Sequence, residues 1–260
     1  MKNKPLLTIF LIVFVDLLGF GIILPLLPYI AEKFKADPAQ IGFLSATYSF
    51  FQLIATPILG RLSDRYGRKK LLIISQIGST LGYLLLGLAH NLPLLFISRM
   101  VDGITGGNIS IAQAYIADVT TKENRAKGMG MIGAAFGLGF IFGPAIGGFL
   151  AGFGYSYPAY FAMGVSCITV LATALFLPES VDVKKAATTK QTAFNLAEFK
   201  KIIFNPTIGY LIVVFFLLNT SFSVLQGNFA LWTLRQNLAS VLSKTDFSLP
   251  ISGSLPSFFS

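Results

Sequence analysis

The chain has 260 residues, 54% of them apolar and 12% charged, with a mean hydropathy of +0.71. Soluble domains carry about 25% charged residues, so a water-soluble globule is excluded. The formal charge is +9, but the basic residues fall in short clusters between apolar runs rather than along one surface, which sets aside a nucleic-acid partner and points to orientation in a bilayer.

Seven apolar runs, at 6–30, 41–59, 71–89, 93–116, 128–152, 159–177 and 207–227, are each long enough to cross about 30 Å of hydrocarbon at ~1.5 Å per helical residue. In lipid every backbone polar group needs a protein partner, and these runs lack the alternation of barrel strands. The expected fold is therefore all-α and polytopic. Alternate connections differ sharply in Lys and Arg. The side that holds Lys2 and Lys4 also holds the basic residues of 61–70, 122–127 and 184–201, 15 in all, whereas the opposite side holds Lys33 and Lys35. By the positive-inside rule the amino terminus is expected in the cytoplasm. A cleaved secretory leader fits less well, because Asp16 lies within the first run and no A-x-A pattern follows it. The expected organisation is a six-span unit at 1–177, a polar connector at 178–206, a seventh span at 207–232 and a polar, disordered tail at 233–260. A lone cysteine, Cys167, lies inside an apolar run, which excludes an intrachain disulfide framework and assigns its thiol to packing.

An offset of 86 residues relates the first run to the fourth. Positions 10–32 and 96–118 share 8 identities in 23, among them Asp16 with Asp102, Gly21 with Gly107, and Tyr29-Ile30-Ala31 with Tyr115-Ile116-Ala117. The first run leaves the cytoplasm and the fourth returns to it, so equivalent residues lie at similar depths from opposite faces. Transporter halves use such an inverted three-plus-three pattern to build a site at the bilayer midplane.

Asp16, Arg99 and Asp102 are the ionisable residues within these spans. A charge at the centre of a membrane helix costs about 2.5–3.5 kcal/mol on insertion scales, so each is expected to face the bundle interior, a partner or water. Asp16 and Asp102 lie about 14–15 Å along their helices from Leu6 and Pro93, near mid-membrane. A carboxyl group there can hold or release a proton. Arg99 keeps its charge and shares a face with Asp102 at i,i+3. The alternative is a static ion pair that stitches two helices together.

Two glycine-bearing stretches stand out. Gly60-Arg61-Leu62-Ser63-Asp64-Arg65-Tyr66-Gly67-Arg68-Lys69-Lys70 is more particular than positive-inside retention needs, with Gly60 and Gly67 expected to allow tight turns and Asp64 to cap a helix or bind a neighbouring cation. Gly139, Gly143 and Gly147 line one face of the fifth span, beside Pro144 and Gly148; small residues there permit close helix contact, and the proline frees a carbonyl.

With these residues in view, the chain resembles the major facilitator superfamily of secondary transporters. The 60–70 loop is similar to the family's signature between spans two and three, Arg99 and Gly103 to its fourth-span motif, and 139–148 to its antiporter motif. Asp16 to Ala31 resembles the start of the twelve-span drug/proton antiporters, which include bacterial tetracycline exporters. The resemblance implies a six-helix half followed by a seventh helix. It implies proton-coupled export of small amphiphilic molecules across a bacterial inner membrane, with the lipid bilayer as partner and no cofactor or metal. It assigns proton or substrate coupling to Asp16, Arg99 and Asp102. Gly60, Asp64, Arg65, Gly67 and Arg68 would form a cytoplasmic lock with Asp118, and Gly139, Gly143, Pro144, Gly147 and Gly148 the exporter-associated packing face.

Family members place two six-helix halves around one cavity. This sequence is expected to be a truncated form that leaves the pattern near Trp232, where Arg235, Gln236 and Asn237 interrupt the next helix and seven serines fall in 28 positions. A complementing carboxy-terminal half or a homodimer would then supply the second wall. Two other readings are a non-transporting fragment or assembly partner, and a seven-span receptor, which the helix count suggests and the internal amino terminus opposes. No nucleophile–base pair, His-rich metal site or phosphate loop points to an enzyme, and His90 stands alone.

Overall fold

A computed structural model describes residues 4–181, 205, 208–221 and 223–225. The polar tail at 233–260 and most of the connector lie outside the described residues. The chain divides into units at 1–209 and 210–260. In the first stand α1 (Lys4–Ile23), α2 (Leu27–Lys33), α3 (Pro38–Tyr66), α4 (Arg68–Gly87), α5 (Leu92–Thr105), α6 (Asn108–Val119), α7 (Lys122–Ala151) and α8 (Tyr157–Phe176). A further apolar helix, α9 (Ile208–Leu225), is long enough to cross a membrane. The fold is all-α, as the apolar runs predict.

Local chemistry sets the helix ends. Asp37 caps α3 through a reciprocal box, its Oδ1 accepting from Gln40 N at 2.8 Å while Gln40 Oε1 accepts from Asp37 N at 3.0 Å, with Pro38 in the first turn. Asn91 caps α5, its Oδ1 accepting from Leu94 N at 2.9 Å. Gly67 joins α3 to α4 by itself at φ +101°, a left-handed conformation that glycine adopts without steric cost.

Three expectations are corrected. The first and fourth runs are not continuous helices. Pro25 cannot donate a backbone hydrogen bond, and the chain turns between α1 and α2; Gly106-Gly107 separates α5 from α6. Gly60 makes no turn, because α3 continues through the polar residues to Tyr66, well past the apolar run. Cys167 is exposed on α8 rather than packed, since in a lipid-facing helix the outer face is as apolar as the inner.

The packing order tests the internal repeat. α1 packs on α7 and α3 on α5; α4 packs on α5 and α8 on α1; α4 and α8 pack on each other. Exchanging the first three spans with the next three turns the first contact into the second and the third into the fourth, and leaves the last unchanged. That is the three-plus-three relation. The short helices obey it too: α2 ends at Lys33 and α6 at Val119, the same 86-residue offset. Toward the basic end of the bundle, Ile12, Leu72, Ile111 and Tyr115 anchor a fully buried core between α1, α4 and α6.

Candidate functional site: a polar cluster within the bundle and a clasp at its basic end

The break in the fourth span brings α6 to α1. Asn108, the first residue of α6, is buried, and its Nδ2 donates a 2.7 Å hydrogen bond to Asp16 Oδ1. Asp16 itself is half-buried. On α5, Arg99 Nη1 lies 3.3 Å from Asp102 Oδ2, with side chains 4% and 6% exposed. This ion pair sits within one helix, so it stitches no two helices together. Arg99 Nε and Nη2 meet no hydrogen-bond partner among the described residues. Removing two charges from water is costly unless every donor and acceptor is satisfied, which marks Arg99 as a group with hydrogen bonds to spare.

Polar residues from α3 and α4 complete the cluster. Gln52 Nε2 donates to the Gly106 carbonyl at 3.2 Å and to the Tyr48 hydroxyl at 2.8 Å, so it satisfies one of the carbonyls that the helix break frees. Glycines allow the close approach. A Cβ on Gly103 would lie 2.6 Å from the Tyr48 carbonyl oxygen, and one on Gly82 would lie 2.8 Å from Asp102 Cβ. Tyr83 reaches from α4 to α1, where a Cβ on Gly19 would come within 2.5 Å of its hydroxyl. Asp16, Asp102, Arg99, Tyr48 and Tyr83 thereby share one electrostatic neighbourhood.

At the basic end, Arg68 is the centre of a clasp. Its guanidinium pairs with Asp64 and with Asp118 Oδ2 at 3.1 Å, and donates to Ser63 Oγ at 2.6 Å. Gly60 contributes its carbonyl, 3.5 Å from Arg68 Nη1. Arg65 is not in this group; its guanidinium lies over the Tyr66 ring, 5.4 Å from the centroid. Glu179, just past α8, takes a place that the sequence does not foretell. Its carboxylate accepts from Arg68 N at 2.7 Å and Lys69 N at 3.2 Å, and so covers the free N–H groups that open α4. Ser180 Oγ donates to Asp118 at 3.0 Å, and the Tyr115 hydroxyl donates to the Pro178 carbonyl at 3.0 Å. The start of the expected connector is thus docked on α4 and α6.

The glycine face of α7 packs on α1. A Cβ on Gly143 would lie 2.6 Å from the Gly21 carbonyl carbon, one on Gly139 would lie 2.9 Å from Leu17, and one on Gly147 would lie 2.9 Å from the Ile22 carbonyl oxygen. Pro144 lies inside the same helix, and Gly148 looks outward, where a Cβ would meet nothing within 4 Å. Asp16 precedes Leu17 on α1, at the start of this seam.

Residues 9–260 match the sequence profile of the Major Facilitator Superfamily. The chain belongs to this superfamily. The match includes 233–260, which the residue pattern alone sets outside the family. The class E tetracycline resistance protein of Escherichia coli is 37% identical over 222 residues, covering 82% of this chain and 54% of that protein. Multidrug resistance protein 2 of Bacillus subtilis (strain 168) is 33% identical over 235 residues, covering 87% of this chain and 58% of that protein. The chain thus spans about half the length of the relatives it matches. Among solved structures, the human organic anion transporter MFSD10 (TETRAN) aligns with a TM-score of 0.64 at 26% identity, covering 74% of this chain and 51% of that one. A bacterial homologue of the human lysosomal transporter Spinster, inward-facing and occupied, aligns with a TM-score of 0.63 at 19% identity, which speaks to fold alone. The superfamily member described here is a multi-pass membrane protein whose relatives are transporters rather than enzymes.

Charge makes Asp16, Arg99 and Asp102 legible in the sequence, whereas Asn108 and Gln52 carry none. Each is an amide in an apolar run, and Asn108 follows a Gly-Gly pair; together these are a readable sign of a helix break with a polar side chain beside it.

Proposed function

We propose that this chain forms one wall of a proton-coupled exporter of drug-like amphiphilic molecules in a bacterial inner membrane, with its amino terminus in the cytoplasm. The observation that supports this most is the cluster of Asp16, Asn108, Arg99 and Asp102 inside a bundle of apolar helices. Charges at that depth are costly, and their use is in binding or moving a proton or a polar substrate. Asp16 takes and releases the proton. Arg99, with two spare donors, attracts an anionic or carbonyl-bearing part of the substrate and returns to the neighbouring carboxyls when the cavity empties. The clasp around Arg68 steadies one state of the alternating cycle. The opposite wall comes from the rest of a longer chain or from a second polypeptide.

Everted membrane vesicles from cells that make the chain, alone and with the carboxy-terminal half of the class E tetracycline resistance protein, test this reading. Tetracycline uptake is expected to follow an imposed proton gradient, to stop when an uncoupler is added, and to fall at least tenfold in Asp16→Asn and Arg99→Ala. Gradient-driven uptake that ignores both substitutions would refute the assigned roles.

A further inference from the structure

Resting on the reading of Asp16 as a proton site, we infer that Asn108 is its positioning residue in both protonation states, holding the carboxylate through its amide N–H and the protonated acid through its amide oxygen. The Asn108 amide meets Asp16 through Nδ2 at 2.7 Å, while its Oδ1 is buried and has no hydrogen-bond partner among the described residues. The residue is 2% exposed, so water is a poor substitute. An ionised carboxylate only accepts hydrogen bonds, whereas a protonated one also offers an O–H. A cationic partner would leave the O–H of the second state without an acceptor, and an apolar partner would serve neither state. An amide serves both, because half a turn about its terminal torsion exchanges the donor end for the acceptor end. In each orientation one end bonds Asp16 and the other is left unpaired, so neither proton state becomes a trap.

The surroundings single out Asn108. Asp102 from α5 acts on Asp16 through its charge, and Asp16, Asp102 and Arg99 act in turn on the hydroxyls of Tyr48 from α3 and Tyr83 from α4. α7 presents Gly139 and Gly143 to α1, and α8 buries Ala159, Ala162, Ser166, Thr169 and Thr173. α6 contributes Asn108 from its first position. The Gly106-Gly107 break places it there, and Gln52 helps to hold that break through the Gly106 carbonyl.

The test is infrared difference spectroscopy of the purified full chain in lipid nanodiscs during an acid titration. The wild type is expected to show an acid-induced carboxyl C=O band that Asp16→Asn removes, at the lowered frequency of a hydrogen-bonded acid. In Asn108→Leu the band shifts up to the frequency of a free acid; in Asn108→Thr, whose hydroxyl both donates and accepts, it stays low. If Asn108→Leu loses helix content by circular dichroism, Asn108→Ala takes its place with the same expected upward shift. An unchanged frequency in the apolar variant overturns the role of Asn108 and leaves the proton reading of Asp16 standing. A wild type with no band that Asp16→Asn removes overturns that reading, and the role of Asn108 with it.

Discussion

Replacing Gly143 with alanine puts a methyl group where α1 already stands. An ideal Cβ at this position lies 2.6 Å from the Gly21 carbonyl carbon and 2.8 Å from its Cα. The shorter distance is about 0.9 Å inside the ~3.5 Å at which two carbon atoms rest comfortably. Both atoms belong to backbone and cannot rotate aside, so the whole α1/α7 seam must open. Overpacking of this kind costs about 1–3 kcal/mol. Gly148 provides the control, because a Cβ there meets nothing within 4 Å. Both changes are Gly→Ala in one helix, so the intrinsic helix preference cancels in their difference. That difference is expected near 2 kcal/mol, roughly a 30-fold change in the unfolding equilibrium. Unfolding of the purified chain in mixed micelles, with sodium dodecyl sulfate raised stepwise and helix content followed by circular dichroism, reads it directly. Coincident midpoints for Gly143→Ala and Gly148→Ala would show that the seam is not close-packed and would refute the reasoning.

Arg68→Lys is expected to destabilise the chain by about 1–3 kcal/mol despite keeping the charge, because an ammonium cannot meet Asp64, Asp118 and Ser63 at once; equal detergent stability of variant and parent would count against the clasp. Tyr115→Phe removes the bond to the Pro178 carbonyl, at a cost of about 0.5–1.5 kcal/mol, and should speed amide exchange at Glu179 and Ser180 while leaving α7 unaffected. Gln52→Leu strips the Gly106 carbonyl of its partner; about 1–3 kcal/mol of lost stability is expected, and Gln52→Glu should restore it only at a pH low enough to keep that carboxyl protonated, because an ionised carboxylate cannot donate to a carbonyl.

The all-α fold and its spans are legible because lipid leaves little choice: an apolar run of sufficient length must be helical, and lysine asymmetry orders the connections. The inverted repeat is legible from paired residues such as Asp16 and Asp102, and the reciprocal packing of α1 on α7 and α3 on α5 agrees with it. The breaks are not. Gly106-Gly107 reads equally well as a small-residue packing motif inside a continuous helix, and the difference depends on Gln52, far away in sequence, supplying a hydrogen bond to the freed carbonyl. Glu179 is hidden for a related reason. It opens a polar stretch, and only the return of α8 to the start of α4 turns a connector residue into a helix cap. Arg65 and Arg68 look alike in sequence; the turn at Gly67 aims one at Tyr66 and the other at Asp118.

A joint made of Gly67 alone has no slack. Ser63 and Asp64 on one side of it and Arg68 on the other are already fastened together, so the ends of α3 and α4 cannot slide independently. The foot of α3 is therefore tied through Arg68 to Asp118 at the foot of α6 by side-chain bonds rather than by a flexible strap.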